Sequence, residues 1–291
     1  MRNAQMALIA ALTMLGAAAA AQEAGEIWSL EGLDAPESAL HDPERDVIYV
    51  SNVGGQPLDK DGNGTISRVS PAGEMIEADW VSGLDGPKGL ALHEGKLHVT
   101  DIDRLVAIDV ASGEITGEWP AEGAEFLNDA AADDEGRIYA SDMIGNRIYR
   151  LADGAMSVWL EDEALEHPNG LKVMEGILHI ASWGAGLRED ATTEEPGRLL
   201  TVDLETKEIV PFGSGEGIGN LDGLEPDGAG NWLVTDWVAG GLYRVDPEGE
   251  ATRLHPLAPG SADLGFMAGD GVALIPMSSE GRLVAYRLAS P

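Results

Sequence analysis

From about residue 25 onward the chain lacks the three-and-four spacing of apolar positions that marks an amphipathic helix. Apolar residues instead alternate with polar ones or gather in short runs, at 47–51, 96–100, 137–141, 177–182, 232–235 and 272–276, bounded by Gly, Asp and Pro. Such runs predict β-strands separated by tight turns. Each run sits inside a longer unit. The segment PKGLALHEGKLHVTD aligns with LNDAAADDEGRIYASD and PNGLKVMEGILHIASW, and the segments that follow, such as RLVAIDVASGE and GLYRVDPEGE, align as well. In these units a strand runs out near Asp or Ser, turns at Gly or Thr, and returns.

The residues that open the aligned units are Glu37, Lys88, Asn128, Asn169, Asp222 and Asp263, at spacings of 51, 40, 41, 53 and 41 residues. The two long spacings reflect insertions at 54–64 and 184–196. A period near 40 with about four short strands per unit predicts a β-propeller blade. The chain is therefore expected to be all-β, a single six-bladed β-propeller over residues 22–291. The last unit runs out at 286–288, one strand short, while 26–30 form an isolated strand ahead of the first unit. The N-terminal strand is expected to complete the sixth blade and so cover an open sheet edge. An open sandwich of irregular strands would leave six repeats of one pattern unexplained.

Composition narrows the function. The chain has 291 residues, 44% of them hydrophobic, with 51 Asp plus Glu against 18 Lys plus Arg and no Cys. The apolar fraction is that of a folded globular protein. A formal net charge of -33 repels phosphate backbones and anionic lipid, which disfavours nucleic acid and membrane surfaces as partners. Without Cys there is no thiol nucleophile, disulfide, zinc–thiolate or iron–sulfur site. Residues 1–21 read as a cleavable signal peptide: Arg2, an apolar stretch at 6–20, and Ala19, Ala20 and Ala21 as the small-residue cleavage site. The mature chain is expected to begin at Gln22, in the periplasm or outside the cell, exported by general secretion because no twin arginine is present. A membrane anchor is the competing reading, but the stretch is alanine-rich and short of the ~20 strongly apolar residues a span prefers. An exported protein can do without disulfides when its core is large. Oligomeric state is not set by the sequence; a monomer fits a closed ring.

In a propeller the first strand of each blade lines the central channel, and the residue entering that strand faces one mouth. Glu37, Lys88, Asn128, Asn169, Asp222 and Asp263 are thereby expected to form a ring, and every one is polar or charged. Charge gathered on an axis is costly unless an ion or ligand neutralises it. Three carboxylates with two amide oxygens are hard donors, suited to calcium foremost, with manganese, magnesium or zinc as alternatives. A second reading stays open, in which the ring only solvates a water-filled channel. Lys88 either neutralises a carboxylate, weakens cation binding, or acts as a catalytic electrophile on a bound substrate.

The same segments carry a resemblance. Ala35-Pro36-Glu37-Ser38, then Asn128-Asp129 ahead of Asp134-Glu135-Gly136-Arg137, then His167-Pro168-Asn169-Gly170-Leu171, then Leu221-Asp222-Gly223-Leu224 resemble the regucalcin and gluconolactonase family of six-bladed propellers, in order, over about residues 26–288. The resemblance implies hydrolysis of a sugar lactone or related ester with one divalent cation at the top of the channel. It implies Glu37, Asn169 and Asp222 as metal ligands, Asn128 beside metal or substrate, and Asp222 as the group that activates water. A cation polarises the lactone carbonyl and lowers the pKa of a nearby water while a carboxylate takes the proton, so the chemistry is consistent. Two positions depart from the family. Phe126 stands where lactonases that hold a polar sugar carry an arginine, so a polyhydroxylated substrate loses a fork of donors there, and Lys88 lies in the ring.

Other motifs contribute less. Asp59 to Gly64 copies the first half of an EF-hand loop, but its twelfth position is Ser70 and a strand follows where a helix is required. A looser calcium turn or a plain Asp/Asn/Gly turn remains, and this loop is placed to overhang the mouth. His93 and His98 are an odd number of residues apart in a hairpin, so they face opposite sides and share no metal. His167, just before Pro168-Asn169, is the histidine that merits a test. The glycines at 213–219 lack the Lys-Ser/Thr ending and helix of a phosphate loop, and no Gly-x-Ser-x-Gly elbow occurs. Trp183, Trp237 and Phe126 are expected either to wall an apolar substrate pocket over the metal or to pack neighbouring blades, with Phe266 near the channel. The insertion at 184–196 is a lid or a solvated loop. The leading expectation is a metal-dependent lactone or small-ester hydrolase. The competing ones are a non-catalytic propeller that binds a small ligand or protein around a structural cation, and an intramolecular or condensing enzyme on a related propeller.

Overall fold

The computed structural model describes residues 25–188 and 190–289; the expected signal peptide at 1–21 lies outside them. Twenty-four strands form six four-stranded antiparallel sheets, joined by turns and two single 3-10 turns at Glu163–Leu165 and Ser278–Glu280, with no α-helix among the described residues. The innermost strands, Pro36–Asp42, Pro87–His93, Leu127–Ala132, Pro168–Met174, Leu221–Pro226 and Gly265–Met267, touch one another in cyclic order, the last meeting the first. The sheets are thus the blades of a six-bladed propeller.

In five blades the strands run consecutively from the axis outward. In the sixth, the outermost place is taken by the N-terminal strand Gly25–Glu31, paired antiparallel with Arg282–Arg287 from Gly25↔Arg287 to Glu31↔Arg282. The expected closure of the ring by its own beginning is therefore present.

The repeat pattern explains itself through packing. The second strand of a blade is covered on both faces by neighbouring blades, and Val47–Asn52, Ile138–Asp142, Trp232–Asp236 and Val272–Met277 are buried at every residue. That is why these strands read as short continuous apolar runs. The outer strands alternate instead, as in Ile115–Pro120 and Ala155–Glu161. The core is a set of seams between blades. Tyr49 and Ile66 of blade one pack on Leu97, Val99 and Val106 of blade two, and Tyr139 and Ile148 of blade three pack on Leu178, Ile180 and Val202 of blade four. Leu233 and Leu242 of blade five meet Ala273, Ile275 and Val284 of blade six in the same manner.

Candidate metal centre at one mouth of the channel

Five of the six unit-opening residues occupy one structural position. Pairing between the first two strands runs Pro36↔Asn52 then Ala39↔Val50, Pro87↔Asp101 then Leu90↔Val99, Leu127↔Asp142 then Ala130↔Ala140, Pro168↔Ser182 then Leu171↔Ile180, and Leu221↔Asp236 then Leu224↔Val234. In each blade two residues on the inner strand therefore oppose one on its neighbour, which is a β-bulge, and bulges re-aim side chains next to functional sites. Glu37, Lys88, Asn128, Asn169 and Asp222 are each the first bulge residue. The second is Ser38, Gly89, Asp129, Gly170 or Gly223.

The residue opposite the bulge is Ser51, Thr100, Ser141 or Thr235 in blades one, two, three and five and Ala181 in blade four. Its hydroxyl meets the backbone groups that the bulge frees from the ladder. Ser51, Ser141 and Thr235 Oγ accept from the N–H of Ser38, Asp129 and Gly223, each at 2.9 Å. Ser141 also donates to the Asn169 carbonyl at 2.8 Å, Thr235 to that of Ala262 at 2.9 Å, and Thr100 to that of Asn128. Ser141 and Thr235 thus each fix the bulge in their own blade and the unit-opening segment of the next, while Ser51 makes the first bond and Thr100 the second. The Asp that ends the second strand secures the turn above. Asp101 accepts from the Gly86 N–H at 2.7 Å and pairs with Arg104, and Asp142 accepts from the Phe126 N–H at 2.8 Å.

All six unit-opening residues are buried. Glu37 Oε2, Asp222 Oδ1 and both polar atoms of the Asn169 amide are buried without a hydrogen-bond partner. Burial raises the Glu37 carboxyl well above its usual range, with the charges of Asp222 and Asp263 adding to the rise and Lys88 opposing it. Burial likewise raises Asp222, assisted by Asp263 and Asp129, while the Asn169 amide beside it works the other way. Among the described residues no three His, Cys, Asp or Glu side chains are grouped to hold an ion. The candidate donors here are a mixed set of two carboxylates and an amide.

Asp263 departs from the other five. It precedes its strand and bridges blade one through its N–H to the Glu37 carbonyl, at 2.9 Å. Its carboxylate accepts from the Ser38 hydroxyl, and burial moves it up to about 7. Asp263, Ser38 and Asp129 line a cavity of about 320 Å³ on the side of the ring away from the mouth, walled further out by Leu40, Leu92 and Phe266. Asp129 was not singled out from the sequence as a site residue. Its two carboxylate oxygens accept from the N–H groups of Ala130 and Leu171, both at 2.6 Å, and burial followed by the charge of Asp263 raises its pKa well above normal. The signal was an acidic residue where the corresponding bulges carry Gly or Ser.

Around the mouth, the Lys88 ammonium donates to the carbonyls of Gly86 at 2.9 Å and Pro57 at 3.2 Å and lies 4.5 Å from the centre of the Phe126 ring. Burial lowers it to about 8 against the opposing charges of Glu37 and Asp101. The insertion at 54–64 therefore does reach the mouth, through Pro57. Within it, Asp61 accepts from the Asn63 N–H at 3.1 Å, the bonding of an Asx turn, and Lys60 pairs with Asp103. Asn128 is buried, with its amide nitrogen 4.0 Å from Met143 Sδ. Trp183 and Trp237 stand 6.0 Å apart between ring centres. Trp183 donates from Nε1 to Ala191 at 2.7 Å, and Asn220 bonds both the Trp183 carbonyl and Thr193, so the insertion at 184–196 is fastened to the rim. His167 bonds Met143 through its ring and Asn146 through its N–H, tying blade three to blade four.

With this geometry the chain aligns over 89% of its length with a gluconolactonase from Xanthomonas campestris, covering 88% of that chain at 16% identity and a TM-score of 0.68. It has the fold of that lactonase. A regucalcin from Agrobacterium tumefaciens, described as a calcium-binding protein, aligns over 91% of this chain and 93% of its own, at 16% identity and a TM-score of 0.62. A virginiamycin B lyase from Staphylococcus aureus aligns over 90% and 98%, at 12% identity and a TM-score of 0.58. No protein-family model and no curated protein matches the chain. The shared fold hosts both lactonase and lyase names, so the chemistry has to be argued from the site.

Proposed function

We propose that the protein is a divalent-metal-dependent hydrolase of a lactone or small ester, acting at the bulge-lined mouth of the propeller. The supporting observation is that the buried, unpartnered oxygens of Glu37, Asn169 and Asp222 belong to three side chains on one ring. A buried carboxylate or amide oxygen without a partner costs free energy, and a bound cation removes that cost. All donors are oxygen, which fits calcium, magnesium or manganese better than a soft metal.

Glu37, Asn169 and Asp222 would hold the ion. When bound, the cation supplies polarisation of the lactone carbonyl and a water of lowered pKa. Asp222, a buried carboxylate on the same ring, would take the proton of the attacking water. Asn128, on the next bulge beyond Lys88, orients the substrate ester. Phe126, in place of a donor-bearing side chain, and the Trp183–Trp237 pair are the candidate apolar groups that would favour a lactone less hydroxylated than a sugar. Ring opening yields a hydroxy acid.

The test is hydrolysis of a panel of lactones and aryl esters with calcium, manganese, magnesium or zinc, and after chelation. Asp222→Asn and Glu37→Gln are expected to lower kcat/KM by about a hundredfold or more, the scale on which general-base and metal-ligand losses fall. Hydrolysis that survives both chelation and these substitutions overturns the reading.

A further inference from the structure

Lys88 is the one cationic side chain among the six unit-opening residues, and it is held in an unusual way. An ammonium beside buried carboxylates ordinarily pairs with one of them. Here two of its three N–H groups are taken by the carbonyls of Gly86 and Pro57, and the face of Phe126 occupies a third side. Neither neighbouring acid bonds to it. Asp101 spends its oxygens on the N–H groups of Asp85 and Gly86 and on Arg104, while Glu37 keeps Oε2 unpartnered although the charge of Lys88 acts on it.

The arrangement separates charge from coordination. A lysine bonded to Glu37 would occupy a donor oxygen and compete directly with an ion. Clamped by three elements, the blade-one insertion, the strand start of blade two and the turn before blade three, Lys88 adds a positive charge and leaves the donor free. Held at a distance, it offsets part of the negative charge gathered in the ring and repels any cation that enters.

We propose that Lys88 is a built-in counter-charge that sets the divalent-cation affinity of the mouth, making binding weaker than its donor set alone would give. This rests on the cation-binding reading of Glu37, Asn169 and Asp222. Lys88 is then a positioning residue that acts through the metal site, and the clamp on its ammonium is what lets it act without occupying a donor oxygen.

The experiment is calorimetric titration of the full mature chain with calcium chloride at neutral pH, comparing the wild type with Lys88→Met, Lys88→Arg and Phe126→Leu, each checked for an unchanged circular dichroism spectrum. Removing a unit charge beside a divalent ion in a partly screened site is expected to tighten calcium binding by about tenfold. Lys88→Arg and Phe126→Leu keep the charge and are expected to stay within about threefold of the wild type. A residue that merely props up the mouth would give the opposite result on removal, weaker binding. If Lys88→Met does not fold, Lys88→Gln carries the same expectation, since its amide can still donate to Gly86. Equal or weaker binding by the folded neutral variant overturns the role of Lys88 while leaving the cation site standing. Absence of calcium binding in the wild type and every variant overturns the cation reading and this inference together. Binding that appears only in the neutral variant supports both.

Discussion

Burial holds the imidazoles of His98 and His179 down to about 4, the latter with its ring centre 4.4 Å from that of Trp232 and tilted against it. Both are neutral in the folded and unfolded chain above their ordinary value of 6.5, so their contribution to stability is intact there. As pH falls from 6.5 towards 4 the unfolded chain takes up protons that the native chain refuses, and stability is lost through that window. Asp263 has the opposite sign. Its folded pKa is raised from 3.8 to about 7, so the stability it contributes is complete below 3.8 and lost as pH rises through about 7. His179→Phe, which keeps the aromatic contact, should recover on the order of 1–2 kcal/mol of the acid loss, measured as the change in urea midpoint between neutral and mildly acidic solution. Residues at this scale were unevenly legible. That Glu37, Lys88, Asn128, Asn169 and Asp222 share one structural position was readable because each opens a repeat, and position in a repeat is a sequence property. Asp129 escaped because its approach to the axis depends on a bulge, and a bulge shows in strand pairing rather than in the order of side chains.

Strands and their bulges account for how that ring is held. A regular strand would send the residue after each unit-opening residue to the opposite face of the sheet. The bulge instead turns two consecutive residues towards the axis, as Asn128 at the mouth side and Asp129 at the cavity side illustrate. It leaves little room for neighbouring blades. A methyl group added at Gly170 would collide with the Asp222 carbonyl, and one at Gly89 with the backbone of Asp129. Gly170→Ala is therefore expected to push blade five from blade four, costing about 1–3 kcal/mol by overpacking. It should weaken calcium affinity as well, because the collision lies at the backbone of a proposed ligand; denaturant melts and titration calorimetry read the two effects. Strand positions were readable in advance because a strand covered on both faces is apolar throughout. The clamp by Ser51, Thr100, Ser141 and Thr235 was not. A hydroxyl near the end of an apolar run looks like a strand terminus, and only the register places it opposite the bulge.

At the scale of the whole molecule, stability comes from six similar seams and one closure. Trp28 and Leu30 of the N-terminal strand pack on the cluster shared by blades one and six, so this strand supplies both hydrogen bonds and apolar cover. Deleting residues 25–31 should bare the edge of Arg282–Arg287 and part of that cluster. The expected results are a thermal midpoint lower by about 10 °C or more and concentration-dependent self-association, seen by calorimetry and size-exclusion chromatography. The architecture was legible because every blade repeats one pattern, and the mismatch between a spare first strand and a short last unit pointed to how the ends meet. That meeting also imposes an order in time. The segment 25–31 is the first described strand to be made and has no partner until 282–287 exist, so it must wait through the synthesis of every blade between. Closure is then a signal that the chain is whole: a polypeptide cut short before its final strand keeps open edges and remains a target for proteases and aggregation, while one that reaches its end seals itself.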